Sequence, residues 1–317
     1  MILVTGSIGF VGKRLMSALL ERGYAVRCVL PPHQQKQLPN WNPMPEIVFC
    51  TMDDEEKLYQ AVAGVHVIIH LESAQWWGSE VDLERVDLVG TRYLIEAARV
   101  ARVGRIIMLS HLGATPASSF VLLRIKGLLE DIVKGSGLAY TIIRCGILFG
   151  EEDAFINHLS MVMTLNPFFV LMPGRGEVVL HPIYVDDLVQ AMLVALTNLD
   201  TVDRVLEIGG AEYISLHDLY RTVMRVSRRY RLILSVPPYS MRFITRLLSV
   251  FSRRSLITAQ WFDILASNRT AHLGNLYHYF GLRPRRLEDT LLLYLPRKHN
   301  LMRAMRYMFR AKPKGSL

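Results

Sequence analysis

Three glycines near the start of the chain have the spacing of a phosphate-binding turn. Gly6, Gly9 and Gly12 form a G-x-x-G-x-x-G pattern directly after the apolar run 1–5, which predicts a strand. In such a turn the first glycine permits a tight bend, the second lets the backbone approach a pyrophosphate, and the third lets the following helix pack closely on the strand. The start of that helix then aims backbone N–H groups at the phosphates. The pattern predicts a dinucleotide site that includes Gly6, Ile8, Gly9, Phe10, Val11, Gly12 and Lys13.

The elements that must position this turn alternate between strands and helices up to residue 208. Beyond the first strand, apolar runs predict strands at 25–30, 47–50, 65–71, 105–110, 140–144 and 204–208, and helical periodicity predicts helices after Gly9 and at 54–63, 82–101, 120–134 and 185–196. Strands separated by helices of about ten or more residues build a right-handed, doubly wound parallel sheet. The predicted fold class is therefore α/β, a Rossmann sheet with a smaller C-terminal α/β lobe and a basic amphipathic C-terminal helix.

This order of elements predicts three parts. Residues 1–208 form the dinucleotide-binding domain, and residues 150–182 within it contribute to a lobe over the carboxyl ends of the strands, where such sheets bind ligands. Residues 209–296 form a smaller C-terminal lobe, and residues 297–317 form a basic tail.

Composition narrows the class of protein. Of the 317 residues, 51% are hydrophobic, yet no apolar run reaches the roughly 18 residues that span a bilayer. The first strand starts at Met1, which leaves no room for a signal peptide and gives the expectation of a cytoplasmic protein. Cys28, Cys50 and Cys145 lack C-x-x-C or histidine spacing, so we expect reduced, semi-buried thiols and no metal site.

Positive charge is concentrated in the C-terminal third. The formal net charge is +9; residues 221–254 carry nine arginines and residues 290–317 carry seven lysines and arginines, with no acidic residue in either range. Such a surplus favours an acidic partner: lipid headgroups, an acidic protein surface or nucleic acid. Nucleic acid is the least favoured, because the chain lacks zinc spacing, an aromatic RNA-binding signature and an obvious recognition helix.

Plotted as a helix, residues 300–310 separate apolar from basic side chains. Leu301, Met305 and Met308 fall on one side, opposite three arginines, and residues 240–252 repeat the theme. Segments of this kind lie on an anionic membrane or dock into a protein groove. Segments 221–254 and 297–312 are therefore the predicted contacts with a membrane surface or a membrane-complex partner, at the inner face of the cell membrane.

Several further motifs occur in a recognisable order along the chain. They are Gly64-Val65 before the apolar run 67–71, Gly90-Thr91, Ser110, Lys126, and the segments 140–144 and 181–188. With the glycine turn, they resemble the extended and atypical short-chain dehydrogenase/reductases over residues 1 to about 296. Within that family, the segments 149–157, 256–268 and 280–284 are similar to the group containing the dehydrogenase-like accessory subunit of respiratory complex I and its bacterial relatives.

The resemblance implies a catalytic Tyr four residues before a Lys, with a Ser on the preceding strand. In these enzymes the Tyr exchanges a proton with the substrate while hydride passes to or from nicotinamide. The Lys binds the nicotinamide ribose and lowers the pKa of the Tyr, and the Ser hydrogen-bonds the substrate oxygen. Ser110 and Lys126 match this pattern, but Leu122 stands where the Tyr is expected. Leucine has no ionisable proton, so the usual acid/base group is missing.

Two interpretations follow from Leu122. In the first, Lys126 still holds the cofactor ribose, catalysis is lost, and the nucleotide acts as a folding ligand. In the second, His111 beside Ser110, or another tyrosine such as Tyr184, supplies the proton from a shifted position. We prefer the first, because proton transfer requires a hydrogen-bond reach that spacing alone does not provide.

The nucleotide preference depends on the end of the second strand. An acid there hydrogen-bonds the ribose 2′-hydroxyl of NAD, whereas a basic residue accompanies NADP. Pro31-Pro32 occupies this position with no acid nearby, so NADP(H) is slightly favoured over NAD(H), with Lys13, Arg27 and His33 as basic candidates. Beyond the glycine turn, the predicted cofactor contacts are Pro31, Asp54, Leu71, Ser110, Lys126 and Cys145.

The sequence therefore predicts an NAD(P)-binding dehydrogenase-like protein without standard Tyr-dependent reductase activity, acting as a nucleotide-stabilised accessory subunit at a membrane-associated complex. The alternative is an active oxidoreductase or epimerase that acts on a sugar nucleotide or an apolar carbonyl with a relocated acid or base. The pair Trp76-Trp77 and the apolar run 168–172 motivate the apolar ligand.

Overall fold

A parallel sheet of seven strands forms the centre of the molecule. The structure is a computed structural model that describes residues 1–75, 79–241, 243, 256, 259–295 and 301–309. Its strands are β1 (Ile2–Thr5), β2 (Val26–Leu30), β3 (Glu46–Phe49), β4 (Val67–His70), β5 (Arg105–His111), β6 (Ala139–Cys145), β7 (Leu148–Phe149), β8 (Phe169–Pro173), β9 (Val179–Leu180), β10 (Ile183–Tyr184), β11 (Arg204–Ile208), β12 (Ile214–Ser215) and β13 (Leu232–Val236).

The strands of the large sheet follow the order β11-β6-β5-β4-β1-β2-β3, and every neighbouring pair is parallel. From β1 the chain builds the sheet first towards β3 and then, after crossing back, towards β11. This reversal beside β1 is where doubly wound sheets bind ligands, at the carboxyl ends of the strands. All four residues of β1 are buried, as expected for a central parallel strand covered on both faces. The predicted α/β fold class is confirmed.

Helices connect the strands and cover the sheet. They include α1 (Phe10–Glu21), α2 (Glu55–Val62), α3 (Glu80–Asp82), α4 (Gly90–Val100), α5 (Val121–Lys134), α6 (Ile156–Leu165), α7 (Val185–Thr197), α8 (Leu216–Ser227), α9 (Ala259–Ile264), α10 (Asn275–Phe280), α11 (Leu287–Tyr294) and α12 (Leu301–Phe309).

The helix predicted over residues 82–101 is interrupted. α3 ends at Asp82, Leu83–Val89 form a π-helical turn, and α4 begins at Gly90. A π turn shifts the side chains that follow it, and such turns occur frequently at functional sites. This turn contains Asp87, whose buried carboxylate contacts Lys126. Hydrophobic periodicity predicted the helix but gave no sign of the extra residue in the turn.

Three two-stranded sheets, β7–β10, β9–β12 and β8–β13, lie beside the large one. A single contiguous core contains residues of the large sheet together with residues of α8, α9, α10 and α11. The lobe and the sheet therefore share their interior. The division of the chain at residues 208 and 296 stays a prediction.

Helix α12 exposes most of its predicted apolar stripe. Ala304, Tyr307 and Met308 pack towards α6, so Met308 does not belong to the exposed part of the stripe. Leu301 and Met305 of the predicted stripe are exposed, together with Met302 and Phe309. Most of the second predicted amphipathic segment (244–252), the pair Trp76-Trp77, and tail residues 297–300 and 310–317 lie outside the described residues.

Three findings concern membranes, metals and thiols. No described helix is both long and apolar enough to cross a bilayer. The described residues contain no cluster of three or more His, Cys, Asp or Glu side chains that could hold a metal ion. Cys28, Cys50 and Cys145 are free and buried, as predicted for reduced thiols.

Candidate dinucleotide site

A cavity of about 420 Å³ opens at the carboxyl ends of the central strands. Its volume lies within the range of roughly 300–1,000 Å³ that is typical of small-molecule sites. Its wall combines the turn after β1 with the ends of β2, β4, β5 and β6. Of the residues predicted from the sequence, the wall includes Gly6, Ile8, Gly9, Phe10, Val11, Gly12, Pro31, Leu71, Ser110, His111, Lys126 and Cys145.

The surroundings of the three glycines in the turn differ from one position to the next. Gly6 has a φ of +68°, and a Cβ there would stand 2.8 Å from the backbone nitrogen of Glu72. A Cβ on Gly12 would stand 2.1 Å from the carbonyl oxygen of Gly6, so α1 packs on the turn itself rather than on the strand alone. A Cβ on Gly9 would approach only that same oxygen, at 3.2 Å, and otherwise enter open space.

The start of α1 faces the cavity with unpaired donors. Gly9 is the N-cap, it supplies no capping side chain, and the first turn contains no acid. The first N–H groups of a helix have no intrahelical acceptor, and together with the helix dipole they favour an anion. Because Phe10, Val11 and Gly12 all line the cavity, this donor set lies where a pyrophosphate would bind, while the Gly9 N–H donates to the Gly6 carbonyl oxygen.

Lys126 forms a buried ion pair at the opposite wall. Its Nζ donates to Asp87 Oδ1 at 2.8 Å and to Ser73 Oγ at 3.1 Å. Asp87 also accepts hydrogen bonds from Ser73 Oγ and from the backbone N–H of Ala74. The carboxylate therefore offsets most of the charge of the lysine, which weakens the field that would lower the pKa of a neighbouring phenol.

Ser110 donates its hydroxyl proton away from a substrate. Its Oγ donates to Glu130 Oε1 at 2.7 Å, and Glu130 also accepts two hydrogen bonds from Arg144, at 2.8 and 2.7 Å. The hydrogen bonds to Glu130, followed by the effect of its charge, raise the pKa of the Arg144 guanidinium against the effect of burial. Ser110 lines the cavity, but its proton is committed to a charged acceptor, and bonds to charged acceptors are the stronger kind.

Leu122 is fully buried in the core and does not line the cavity. Its backbone N–H donates to Asp263 Oδ2 at 3.2 Å, so a side chain from α9 caps the first turn of α5. No tyrosine is found among the described residues that line the cavity. Tyr184, the tyrosine considered as a substitute, lies under the Arg285 guanidinium, 4.9 Å from it.

His111 lines the cavity beside Ser110. Its Nε2 hydrogen-bonds Gln75 Oε1 at 2.8 Å. Burial lowers the pKa of the imidazole to about 3, and the charges of Lys126 and Arg269 act in the same direction. The ring is therefore neutral over the physiological range, and the imidazolium, which is the ordinary acid form of histidine, is not populated.

Glu72 is the titratable group that sequence reasoning missed. It follows β4 by two residues and lines the cavity next to the glycine turn. Burial raises the pKa of its carboxyl to about 7, Asp87 raises it further, and Lys126 opposes them. A signal existed in the sequence, because an acid directly after a central parallel strand lies at the ligand-binding edge of the sheet.

Two predicted cofactor contacts, Lys13 and Asp54, lie off the cavity wall. Lys13 Nζ pairs with Glu152 at 2.9 Å on the surface. Asp54 caps α2 by accepting a hydrogen bond from the Lys57 backbone N–H, and hydrogen bonds with Lys57 lower the pKa of its carboxyl. The roles proposed for these residues from spacing thus have local structural explanations.

Of the three basic candidates for a 2′-phosphate contact, one lines the cavity. Arg27 donates to the carbonyl oxygens of Ala61 and Ala63 and pairs with Glu46, and Lys13 pairs as described. His33, which follows β2, lies on the wall.

Comparison with known proteins agrees with this geometry. Residues 6–160 match a family model described as NAD(P)H-binding. The photosystem II assembly factor Ycf39 of Cyanophora paradoxa is 32% identical over 47% of this chain and 46% of its own length. Subunit 9 of the NADH dehydrogenase [ubiquinone] 1 alpha subcomplex of Rattus norvegicus is 27% identical over 77% of this chain and 66% of its own length.

Residues 6–160 therefore carry an NAD(P)H-binding domain, and these relatives agree with the expected resemblance to the atypical short-chain dehydrogenase/reductases. The predicted similarity to the complex I accessory subunit is confirmed, although the chain spans only about half to two thirds of the length of these relatives. UDP-glucose 4-epimerase from Thermotoga maritima superimposes with a TM-score of 0.72 at 20% identity, over 96% of this chain and 99% of that chain. At 20% identity, this structural similarity establishes the fold alone.

Substitution of the glycines separates packing from ligand access. Gly12→Ala should lower the free energy of unfolding by about 1–3 kcal/mol, since its Cβ meets backbone that cannot give way. The free energy of unfolding of Gly9→Ala should lie within about 1 kcal/mol of the wild-type value. The variant should nevertheless bind NADPH at least about tenfold more weakly, because its Cβ enters the space of the phosphates. Chemical denaturation and calorimetric titration measure the two effects. Equal binding by Gly9→Ala and wild type would contradict the phosphate assignment.

Glu72 should make dinucleotide binding depend on pH. The pyrophosphate is anionic, and Lys126, the one Lys or Arg among the described lining residues, is already offset by Asp87. Since the Glu72 carboxyl is neutral below about pH 7, the affinity for the dinucleotide should be highest there and should fall as the pH rises through 7. Because one proton is involved, the affinity should fall by at most about tenfold per pH unit. Calorimetric titration of NADPH from about pH 6 to 8 measures this. Glu72→Gln should flatten the profile, and an unchanged slope in that variant would rule out the linkage.

Proposed function

We propose that this protein binds NAD(P) as a structural ligand and acts as an accessory subunit at a membrane-associated complex, without the Tyr-dependent reductase step of its family. The observation that carries the proposal is the arrangement on α5. Leu122 replaces the phenol, Lys126 is paired with Asp87, and the Ser110 hydroxyl is bound to Glu130.

Each of these contacts removes one requirement of proton transfer. A general acid must lie within hydrogen-bond reach of the reacting atom and hold a proton at the working pH. Leu122 has none, and the ion pair with Asp87 weakens the effect of Lys126 on the pKa of a neighbouring phenol. The glycine turn and the start of α1 keep the geometry for phosphate binding. The site is therefore suited to hold a dinucleotide tightly and poorly suited to turn it over.

The relatives support an accessory role. The names of two of them describe an assembly factor of photosystem II and a subunit of NADH dehydrogenase, both components or helpers of membrane complexes. The exposed apolar side chains of α12 and the acid-free basic segments 221–254 and 297–312 support attachment to an anionic surface, which we propose is the inner face of the cell membrane.

We propose further that the protein prefers NADP(H) to NAD(H). No acid follows β2 to hold a ribose 2′-hydroxyl, and His33 offers a nitrogen donor on the cavity wall.

Purified protein should carry about one dinucleotide per chain and fail to oxidise it with any member of a carbonyl panel. NADPH at a thousandfold excess over its dissociation constant should add about 4 kcal/mol to the free energy of unfolding. Cofactor extraction, absorbance kinetics and thermal melts measure the three effects. Gly9→Ala is the matched control, since it should lose the thermal shift while remaining folded. Steady NADPH oxidation by the wild type would contradict the proposal.

One observation favours the alternative of an active enzyme. Glu72 holds a proton up to about pH 7 within the cavity and could act as the relocated acid. A relative from Stigmatella aurantiaca, 27% identical over 54% of this chain, is named as a ketoreductase of a farnesyl-bearing dihydroquinoline oxide. The predicted apolar ligand has less support from the run 168–172, since Phe168 and Phe169 are exposed and do not line the cavity.

The alternative is tested by substituting the two candidate acids. If Glu72 is the proton donor, Glu72→Gln should lower turnover of a quinone or quinoline carbonyl by about a hundredfold or more while retaining NADPH binding below pH 7. His111→Ala is the comparison, because a neutral imidazole with a pKa near 3 should contribute little. Turnover abolished only by His111→Ala would assign the role to the histidine instead.

A further inference from the structure

The ribbon β8–β13 presents an apolar face to solvent. Because the strands are parallel and Phe169 pairs with Leu232 and Leu171 with Leu234, these four side chains form two neighbouring rows. Val170 and Met172, which alternate with them on β8, are buried. We call Phe169, Leu171, Leu232 and Leu234 the ribbon face.

Two aromatic residues extend the ribbon face. Phe168 precedes β8 and is 77% exposed, and Tyr230 lies two residues before β13 and is also exposed. Leu232, in the middle of the face, is 66% exposed. Single exposed apolar residues are ordinary, but five exposed apolar side chains on and beside one ribbon, together with the half-buried Leu171, favour a contact surface.

The ribbon is held firmly against the lobe. The Arg231 guanidinium donates to the carbonyl oxygens of Met163 and Asn166 at the end of α6. The Tyr220 hydroxyl donates to the Leu171 carbonyl oxygen, and Gly174 N–H donates to the Val236 carbonyl oxygen. With Val170 and Met172 already filling the inner side, the face cannot turn inward without breaking these contacts.

The charge around the ribbon selects the partner. No acidic residue occurs between Asp218 and Asp263, whereas Arg228, Arg229 and Arg231 come directly before β13. Two copies docked through this face would bring these arginines together, which like-charge repulsion opposes. An anionic lipid surface satisfies both the apolar face and the positive rim.

We propose that the ribbon face inserts into the headgroup boundary of an anionic bilayer, with Phe168 and Tyr230 at the interface and the exposed Arg228 on the phosphates. The inference rests on the proposed function and identifies the surface that attaches. Helix α12 packs on α6, and Arg231 of the ribbon donates hydrogen bonds to the end of the same helix. The exposed apolar side chains of α12 and the ribbon face are therefore both anchored to α6.

Flotation with vesicles tests the proposal on the full chain. Wild-type protein should float with vesicles of phosphatidylcholine and phosphatidylglycerol, and less with phosphatidylcholine alone or at high salt. The triple variant Phe169→Ser, Leu232→Ser, Leu234→Ser should lower partition by at least about tenfold. Leu199→Ser is the matched control, since Leu199 is 79% exposed and lies just before β11, an edge strand of the large sheet that is not part of the ribbon, and the variant should float as wild type does.

A labelled cysteine reports insertion directly. The three native cysteines are buried, so Leu232→Cys and Leu199→Cys can each carry an environment-sensitive dye. The dye at position 232 should shift to the blue with anionic vesicles, and the dye at 199 should not. This readout stays informative should the triple variant fold poorly.

Three outcomes overturn the proposal outright, and a fourth assigns the attachment to another surface. The three are flotation of the folded triple variant at the wild-type level, an unshifted dye at position 232, and self-association that the triple substitution abolishes, which would assign the face to a second copy. Flotation that is lost only when Leu301, Met305 and Phe309 of α12 are changed to Ser would overturn the ribbon while leaving membrane attachment intact. Cofactor content is measured in the same samples, so failure of the nucleotide proposal is seen separately.

Discussion

The buried pair of Lys126 and Asp87 constrains the site more than any other contact. Both side chains are removed from water, and truncating one partner of such a pair typically costs about 3–5 kcal/mol because the other charge is left uncompensated. Asp87 reaches the lysine from a π-helical turn. A regular helix over the same residues would direct the Asp87 side chain differently. Ser73 and Ala74 complete the shell around the carboxylate. The turn, the segment after β4 and α5 are therefore fixed relative to one another by a single ion pair.

One stripe of α5 carries the chemistry that distinguishes this chain. Leu122, Lys126 and Glu130 are spaced four residues apart and so share a face of the helix. The first fills the core, the second pairs with Asp87, and the third accepts from Ser110 and Arg144. Each group that could take part in proton transfer is thus satisfied within the protein. The groups that remain available to a ligand are the N–H donors at the start of α1 and the partly shielded carboxyl of Glu72.

The sequence was informative where local rules determine the outcome. Gly6, Gly9 and Gly12 predicted the turn and its place in the sheet, because backbone sterics allow few other residues there. The π turn could not be predicted, since hydrophobic periodicity does not register the contact that Asp87 makes with the distant Lys126. Lys13 and Asp54 lie off the cavity wall, where Glu152 and Lys57 pair with them, so their contacts with a cofactor stay predictions. Glu72 was overlooked because no motif contains it, and the raised pKa arises from burial and from Asp87, which only the fold brings near. The orientation of α12 depends on α6 and is likewise a tertiary effect.

The C-terminal lobe is coupled to the cavity through adjacent residues of α9. Asp263 caps the first turn of α5 at Leu122, where the N-cap Phe120 supplies no side-chain acceptor, and Ile264 lines the cavity. A carboxylate at this end of a helix is stabilised by the helix dipole, so the contact favours one placement of the lobe on α5. A dinucleotide that fills the cavity touches walls from both the sheet and the lobe, and its binding free energy stabilises their junction. A ligand retained without chemistry can therefore still serve the protein, by holding the lobe and its exposed surfaces in one fixed relation to the sheet.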